Sequence, residues 1–319
     1  MMIARTASFL CLAAACCGQD LKLGIIGLDT SHAVRFSELL NDPARKDHVP
    51  GAVIVAAYKG GSPTVAESAD RIERFTEEVT TKYRVKLVSS IPELMKQVDA
   101  VMLLSVDARQ HLDQVRAVFT AKKRVFIDKP LTGSLKDARE IARLSRESGV
   151  PFFNCSGQRY SKAVQDLRHD ATIGRVEGTF TFGPSPIETY IPDLFWYGIH
   201  SIESLYELMG PGCERVTRVH TDGEDSVVGT WKDGRIGEIR GLRSSPRQYG
   251  AVVFGAKRIA VSATPDGSYR PVVEEIVKFF QTGKPPVPPE ESLEVLAFME
   301  AADRSKERNG APVALEAIK

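Results

Sequence analysis

Continuous apolar runs fill the first half of the chain and alternating runs fill the second. Leu21 to Gly27 (LKLGIIG), Val53 to Tyr58 (VIVAAY), Ala100 to Ser105 (AVMLLS), Arg124 to Ile127 and Val150 to Asn154 are apolar without alternation, the pattern of strands buried on both faces of a parallel sheet. Helical spacing separates them. Val34, Phe36, Leu39 and Leu40 follow the polar turn Asp29-Thr30-Ser31-His32; Ile91 to Val98 reads as a helix; Leu112, Val115 and Phe119 recur at i, i+3 and i+7. Leu135, Ala138, Ile141 and Ala142 form one stripe, with Ser134 placed to cap the helix and Gly149 to close it.

After about residue 158 the texture changes. Val176 to Phe182, Arg215 to Thr221, Ser226 to Trp231, Ile236 to Leu242 and Ala251 to Phe254 alternate, with Asp233-Gly234 as a hairpin signal between two of them. Helices around Ser201 to Met209 and Val272 to Thr282 are expected to cover one face of this second sheet. The KPPVPP segment, Lys284 to Pro289, precedes a last helix, Ser292 to Arg308. The fold class predicted is α/β: an N-terminal Rossmann-type doubly wound parallel sheet over 21–157, then a C-terminal α+β domain over 158–319 with a mostly antiparallel open sheet.

A length of 319 residues suits two cores. Lys and Arg total 42 against 41 Asp and Glu, interspersed and without a basic block, so nucleic acid is not an expected partner. Residues 1–20 read as a secretory signal peptide: Arg5 flanks an apolar stretch from Ala7 to Cys17 that ends in small residues and is too short to span a bilayer. The expected location is therefore periplasmic or secreted, with Cys16 or Cys17 as a lipoprotein option and the cytoplasm as the alternative if the leader is a mis-called start. No integral membrane span is expected in the mature chain. Its two cysteines, Cys155 and Cys213, have no zinc spacing, and their pairing is left open. No metal site is expected.

Asp128-Lys129-Pro130 closes the apolar run VFI and sets an amine beside a carboxylate at the mouth of a strand, where open α/β sheets place chemistry. In GIIGLDTSH, Gly27 stands where a dinucleotide turn needs it, but Asp29 and His32 occupy the second and third glycine positions of GxGxxG; Thr30 and Ser31 offer hydroxyl donors to phosphate, and His32 either closes the turn or donates to cofactor or substrate. The second strand ends in Tyr58-Lys59-Gly60-Gly61-Ser62 without the acid that holds NAD ribose hydroxyls. Lys59 and Ser62 suit a 2′-phosphate, which tilts the expected cofactor from NAD to NADP.

Taken together these pieces resemble the Gfo/Idh/MocA oxidoreductases, the family of glucose-fructose oxidoreductase and inositol dehydrogenase, from about residue 21 to 319. VFIDKPLTGS matches the family's Glu-Lys-Pro signature with Asp for Glu, and SVDARQHL resembles the segment after the fourth strand, with His111 at its usual His. The resemblance implies that Lys129 lies near nicotinamide and substrate hydroxyl, with Ser105, His111, Asp128 and Pro130 around the cofactor. Gln158-Arg159-Tyr160 resembles the Arg-containing link into the second domain. The family's catalytic His lies in D-x-x-x-H; PDLFWYGIH supplies His200, but Trp196 stands where the Asp belongs. Tyr197, Asp193 and Glu203 are the possible stand-ins, Trp196 and Tyr197 offer a sugar-stacking platform, and Arg159 completes the expected substrate set.

The resemblance implies a nicotinamide-dependent oxidoreductase acting on a sugar, cyclitol or related polyol, with Lys129 and His200 handling the hydroxyl proton. It also implies a homo-oligomer paired through the C-terminal sheet. The replaced Asp leaves room for a nicotinamide-assisted lyase or glycosidase without net redox. The missing glycines and the leader leave room for an exported carbohydrate-binding protein on a degenerate Rossmann body.

Overall fold

A computed structural model describes residues 19–244, 248–263 and 268–317. The expected leader, 1–20, lies almost wholly outside the described residues.

Six strands form an all-parallel sheet: β1 (Leu21–Ile26), β2 (Ala52–Tyr58), β3 (Lys86–Val88), β4 (Ala100–Leu103), β5 (Arg124–Asp128) and β6 (Phe152–Cys155), in the order β3-β2-β1-β4-β5-β6. β4 is buried throughout and β5 nearly so, as continuous apolar runs require. β3 carries no such run, because it is a three-residue edge strand with two positions exposed. The helix Leu135–Ser148 has the predicted ends: the Ser134 hydroxyl accepts from the Asp137 N–H, and Gly149 adopts the left-handed conformation.

Seven strands form the second sheet: β7 (Val176–Pro184), β8 (Cys213–His220), β9 (Glu224–Trp231), β10 (Ile236–Leu242), β11 (Gly250–Gly255), β12 (Ile259–Ser262) and β13 (Val313–Ala314), in the order β12-β11-β7-β10-β9-β8-β13. Its pairings are antiparallel except β10 with β7. The helices Gly198–Met209 and Pro289–Glu307 pack on this sheet. The other expected cover does not. Helix Arg270–Thr282 returns to the parallel sheet, where Val272, Val273, Ile276, Val277, Phe279 and Phe280 share a core with Phe126 and Phe153 and the Arg124 guanidinium donates to Phe280 O. Its apolar stripe is equally compatible with either sheet, so periodicity could not choose between them. The last strand of the first sheet ends at Cys155 and the first strand of the second begins at Val176, and helix Arg270–Thr282 returns from beyond the second sheet to the first.

The opposite face of the second sheet exposes Val219, Ile236, Phe254, Ile259 and Val261. Cys155 and Cys213 are buried free thiols, each pushed up by burial, Cys213 to about 12.

β1 has β2 on one side and β4 on the other, so the direction of sheet growth reverses there. Loops leaving β1 and β4 diverge and open a crevice beyond the strand ends. The turn after β1 and Ser105 after β4 lie just past those ends, Asp128 closes β5 with Lys129 next, and Ser156 follows β6, all at the carboxyl edge of the sheet.

Candidate active site

A cleft of about 460 Å³ opens at this crevice, lined from the parallel sheet by Thr30, Ser31, His32, Ser105, Asp128 and Lys129 and from the other side by Trp196, Tyr197 and His200. Gly27, at the end of β1, lies against the lining residue Ser105. It has φ +93°, and a Cβ there would sit 2.5 Å from Ser105 Cα, so only glycine lets the ends of β1 and β4 meet. The Ser105 hydroxyl beneath is buried without a partner.

The helix Ser31–Asn41 begins at the cleft, its first turn capped by the Thr30 hydroxyl, which accepts from His32 N–H at 3.2 Å. Asp29 points away from the cleft. Its carboxylate is fully buried, accepting from Ser68 Oγ at 2.7 Å and Val106 N–H at 3.2 Å; burial raises its pKa against those bonds. Ser68 belongs to the stretch between β2 and helix Ile72–Lys82, which folds back over the turn and brings Glu67 and Arg71, paired at 2.8 Å, to the cleft wall. Their approach had no signal in the sequence, because the fold-back is held by the hydroxyl of Ser68. Lys59 is outside the cleft, its Nζ 2.5 Å from Glu73, and the Ser62 hydroxyl donates to Asp107 at 2.8 Å.

Lys129 is central. Its backbone N–H donates to Asp128 Oδ1 at 2.8 Å, its Nζ donates to Trp196 O at 3.3 Å, and the ammonium lies 5.0 and 5.1 Å from the Trp196 and Tyr197 ring centres. The Lys129–Pro130 peptide is cis. Burial lowers the Lys129 pKa, with Asp128 opposing. Asp128 Oδ2 meets His32 Nδ1 at 2.5 Å; burial pushes this carboxyl up, but His32 and Lys129 outweigh it and hold it below the usual range.

His200 shares its Nδ1 with the Ser156 hydroxyl at 2.6 Å and is pushed well below 6.5 by burial first and Lys129 second. Ser156, just past β6, was missed in the sequence; its position beyond a strand's carboxyl end was the available signal. Tyr249 and Tyr269, which also line the cleft, had none. His111 is wholly buried between Ser105 O at 2.8 Å and Leu131 O at 3.1 Å, so it ties together the loops after β4 and β5 behind the cleft.

The stand-ins for the missing acid lie elsewhere. Glu203 is bound by Arg159 Nε at 2.7 Å, and Arg159 also reaches Glu207 and Glu291, forming an ion cluster none of whose members lines the cleft. Asp193 accepts from Arg218 Nη2 at 2.8 Å and Lys306 Nζ at 2.6 Å. Both carboxylates are committed to arginines, and neither reaches His200 in the way a D-x-x-x-H acid would. Arg159 likewise belongs to the scaffold. Trp196 and Tyr197 are the two of the expected substrate residues that line the cleft.

The donor set fits a dinucleotide: a positive-φ glycine at the end of β1, an unpartnered buried hydroxyl at Ser105, hydroxyls at Thr30 and Ser31 on a helix start, and the one offending carboxylate turned aside.

Comparisons with known proteins agree. Residues 21–155 match the oxidoreductase family with NAD-binding Rossmann fold, Gfo/Idh/MocA. A curated 1,5-anhydro-D-fructose reductase of Ensifer adhaerens is 32% identical over 126 residues, 39% of this chain and 38% of that protein. A dTDP-3,4-didehydro-2,6-dideoxy-alpha-D-glucose 3-reductase of Streptomyces antibioticus is 27% identical over 191 residues, 51% of this chain and 57% of that one. The chain thus spans about two fifths to three fifths of these curated relatives. Solved structures of the same fold include myo-inositol 2-dehydrogenase from Lactobacillus plantarum, with TM-score 0.77 and 16% identity over 93% of this chain and 100% of that one. Another is scyllo-inositol dehydrogenase from Lactobacillus casei with bound NAD(H) and scyllo-inositol, with TM-score 0.76 and 14% identity over 94% and 100%.

Proposed function

We propose that this chain, whose Rossmann domain is that of a Gfo/Idh/MocA oxidoreductase, transfers hydride between a nicotinamide cofactor and a hydroxyl-bearing carbon of a sugar, cyclitol or related polyol. One observation carries the reading: an amine and an imidazole, Lys129 and His200, both disfavoured as cations by burial, face one cleft at the reversal point of a dinucleotide-binding sheet. The bound nicotinamide supplies the hydride acceptor or donor. Thr30, Ser31, Gly27 and Ser105 would hold its diphosphate side. Lys129 Nζ and His200 orient the substrate hydroxyl and take up its proton. Trp196 and Tyr197 give the carbon skeleton an aromatic wall and exclude water from it.

NADP is the preferred cofactor on this reading if Lys59 exchanges Glu73 for a 2′-phosphate, which relative affinities for NAD and NADP decide. The exposed apolar face of the second sheet supports pairing with a second copy, readable as a dimer in solution. The N-terminal stretch supports export, and a mature chain that still begins at Met1 or Met2 by mass spectrometry would defeat it.

The test of the main reading is to denature the purified protein and look for released nicotinamide, alongside thermal shifts with added NAD(H) and NADP(H). A ligand at 100 times its dissociation constant adds about 2.7 kcal/mol. The absence of both release and a shift would remove the oxidoreductase reading in favour of a carbohydrate-binding protein. Product formation with no net change in nicotinamide redox state would favour redox-assisted elimination, the reading supported by Trp196 at the missing Asp.

A further inference from the structure

Two histidines open onto the cleft and they are held by different partners. His200 meets a hydroxyl, Ser156; His32 meets a carboxylate, Asp128, at 2.5 Å. In a Rossmann fingerprint the position of His32 belongs to a glycine that lets helix and strand pack closely. Here an imidazole stands there and reaches across to the end of β5.

The geometry of this pair is tightly fixed. Asp128 Oδ1 accepts the Lys129 N–H, while Oδ2 faces His32 Nδ1. A carboxylate can only accept, so Nδ1 carries a proton and Nε2, on the far side of the ring, is left for the cleft that His32 lines. The ring is clamped, stacked on Phe36 at 5.3 Å and met edge-on by Tyr269 at 4.8 Å, and its side chain is 13% exposed.

We propose that Asp128 and His32 form a second acid–base dyad and that Nε2 of His32 receives the substrate proton handed on by Lys129 and His200. The proposal rests on the polyol-oxidation reading above. Burial disfavours the cation in both Lys129 and His200. His32 is in direct contact with a carboxylate, whereas Lys129 Nζ bonds a carbonyl, Trp196 O, and His200 a hydroxyl, Ser156. The step balances: the hydroxyl O–H bond breaks and its proton passes through Lys129 and His200 to His32 Nε2, the C–H bond on the same carbon breaks with its hydride leaving, the electron pair left on oxygen closes the carbonyl, and an oxidised nicotinamide would supply the two-electron acceptor for that hydride. Asp128 is the positioning residue of the dyad, fixing tautomer and orientation.

The test uses His32→Ala and Asp128→Asn in the full-length, nicotinamide-loaded protein. His32→Ala is expected to lose about 100-fold in kcat, within the range of acid–base groups, with nicotinamide affinity changed less than about threefold, and added imidazole is expected to restore turnover. A merely structural histidine would not be rescued. Turnover within about threefold of wild type, or a loss that imidazole does not relieve, overturns the proposal. Should His32→Ala fail to fold, Asp128→Asn keeps the shape and is expected to lower kcat without raising KM. A readout without turnover is the ring-nitrogen NMR spectrum of histidine-labelled protein: the dyad requires a protonated Nδ1 on His32 whose signal moves in Asp128→Asn. An unprotonated Nδ1 overturns it. If nicotinamide binds but no polyol is oxidised, the function fails while the NMR result still judges the dyad.

Discussion

The two walls of the cleft solve one problem with different chemistry. The parallel-sheet wall presents an imidazole paired to a carboxylate, His32 with Asp128; the C-terminal wall presents an imidazole paired to a hydroxyl, His200 with Ser156. A carboxylate partner stabilises an imidazolium and fixes its tautomer, whereas a hydroxyl fixes orientation without supplying charge. In the proposed relay the wall with the carboxylate receives the proton and the other passes it on. Neither Asp193 nor Glu203 supplies the acid that the second wall lacks, since they are taken by Arg218 and Arg159.

The hardest way to break this comparison is to remove the group between the walls. Lys129→Met is expected to lower kcat by about 1,000-fold or more, within the range for proton-transfer groups, with nicotinamide affinity almost unchanged by thermal shift; wild-type-like turnover would exclude the lysine from the chemistry. Next, Asp128→Asn is expected to cost about 100-fold in kcat. Ser156→Ala is expected to cost about tenfold or less, because losing a neutral hydrogen bond forfeits only about 0.5–1.5 kcal/mol. Equal losses in the two variants, measured as steady-state kcat at one pH, would erase the distinction between the walls.

The smallest effect is on stability. His200 and His111 both have folded-state pKa values below the ordinary 6.5, chiefly through burial. Below pH 6.5 the unfolded chain then binds more protons than the folded one, so this stability is complete above that pH and is lost as the pH falls. Asp29 and Glu203, raised by burial, act in the opposite sense as pH rises from the acid side. His200→Asn is expected to flatten the fall in Tm between pH 7 and 5 by about 2–4 °C for each kcal/mol involved. An unchanged slope would show that His200 is not held neutral.

The parallel sheet was legible because both of its faces are buried, which forces continuous apolar runs onto β1, β2, β4, β5 and β6; β3 was not, since an edge strand of three residues needs no such run. The helix Leu135–Ser148 was legible to its ends because caps are local chemistry. The home of helix Arg270–Thr282 was not, since an apolar stripe states that a face is buried and not against what. In the site, Gly27, Lys129 and His200 could be read from motif position. Ser156 as partner of His200, the fold-back carrying Glu67 and Arg71, and the ion clusters that claim Arg159, Glu203 and Asp193 could not, because each joins residues distant in sequence through side-chain bonds.

What the sequence by itself determined is therefore what local periodicity and backbone constraint can encode: the strands and helices, the glycine turn at Gly27, and a lysine at the mouth of β5. Only the tertiary structure decided what each charged group faces. Burial and partner, which fix whether a carboxylate orients a histidine, neutralises an arginine or turns away behind a helix cap, arise when distant segments meet and exclude water. Asp128 and Asp29 differ little as letters in a chain; one holds His32 at 2.5 Å at the cleft, and the other is buried behind the turn against Ser68.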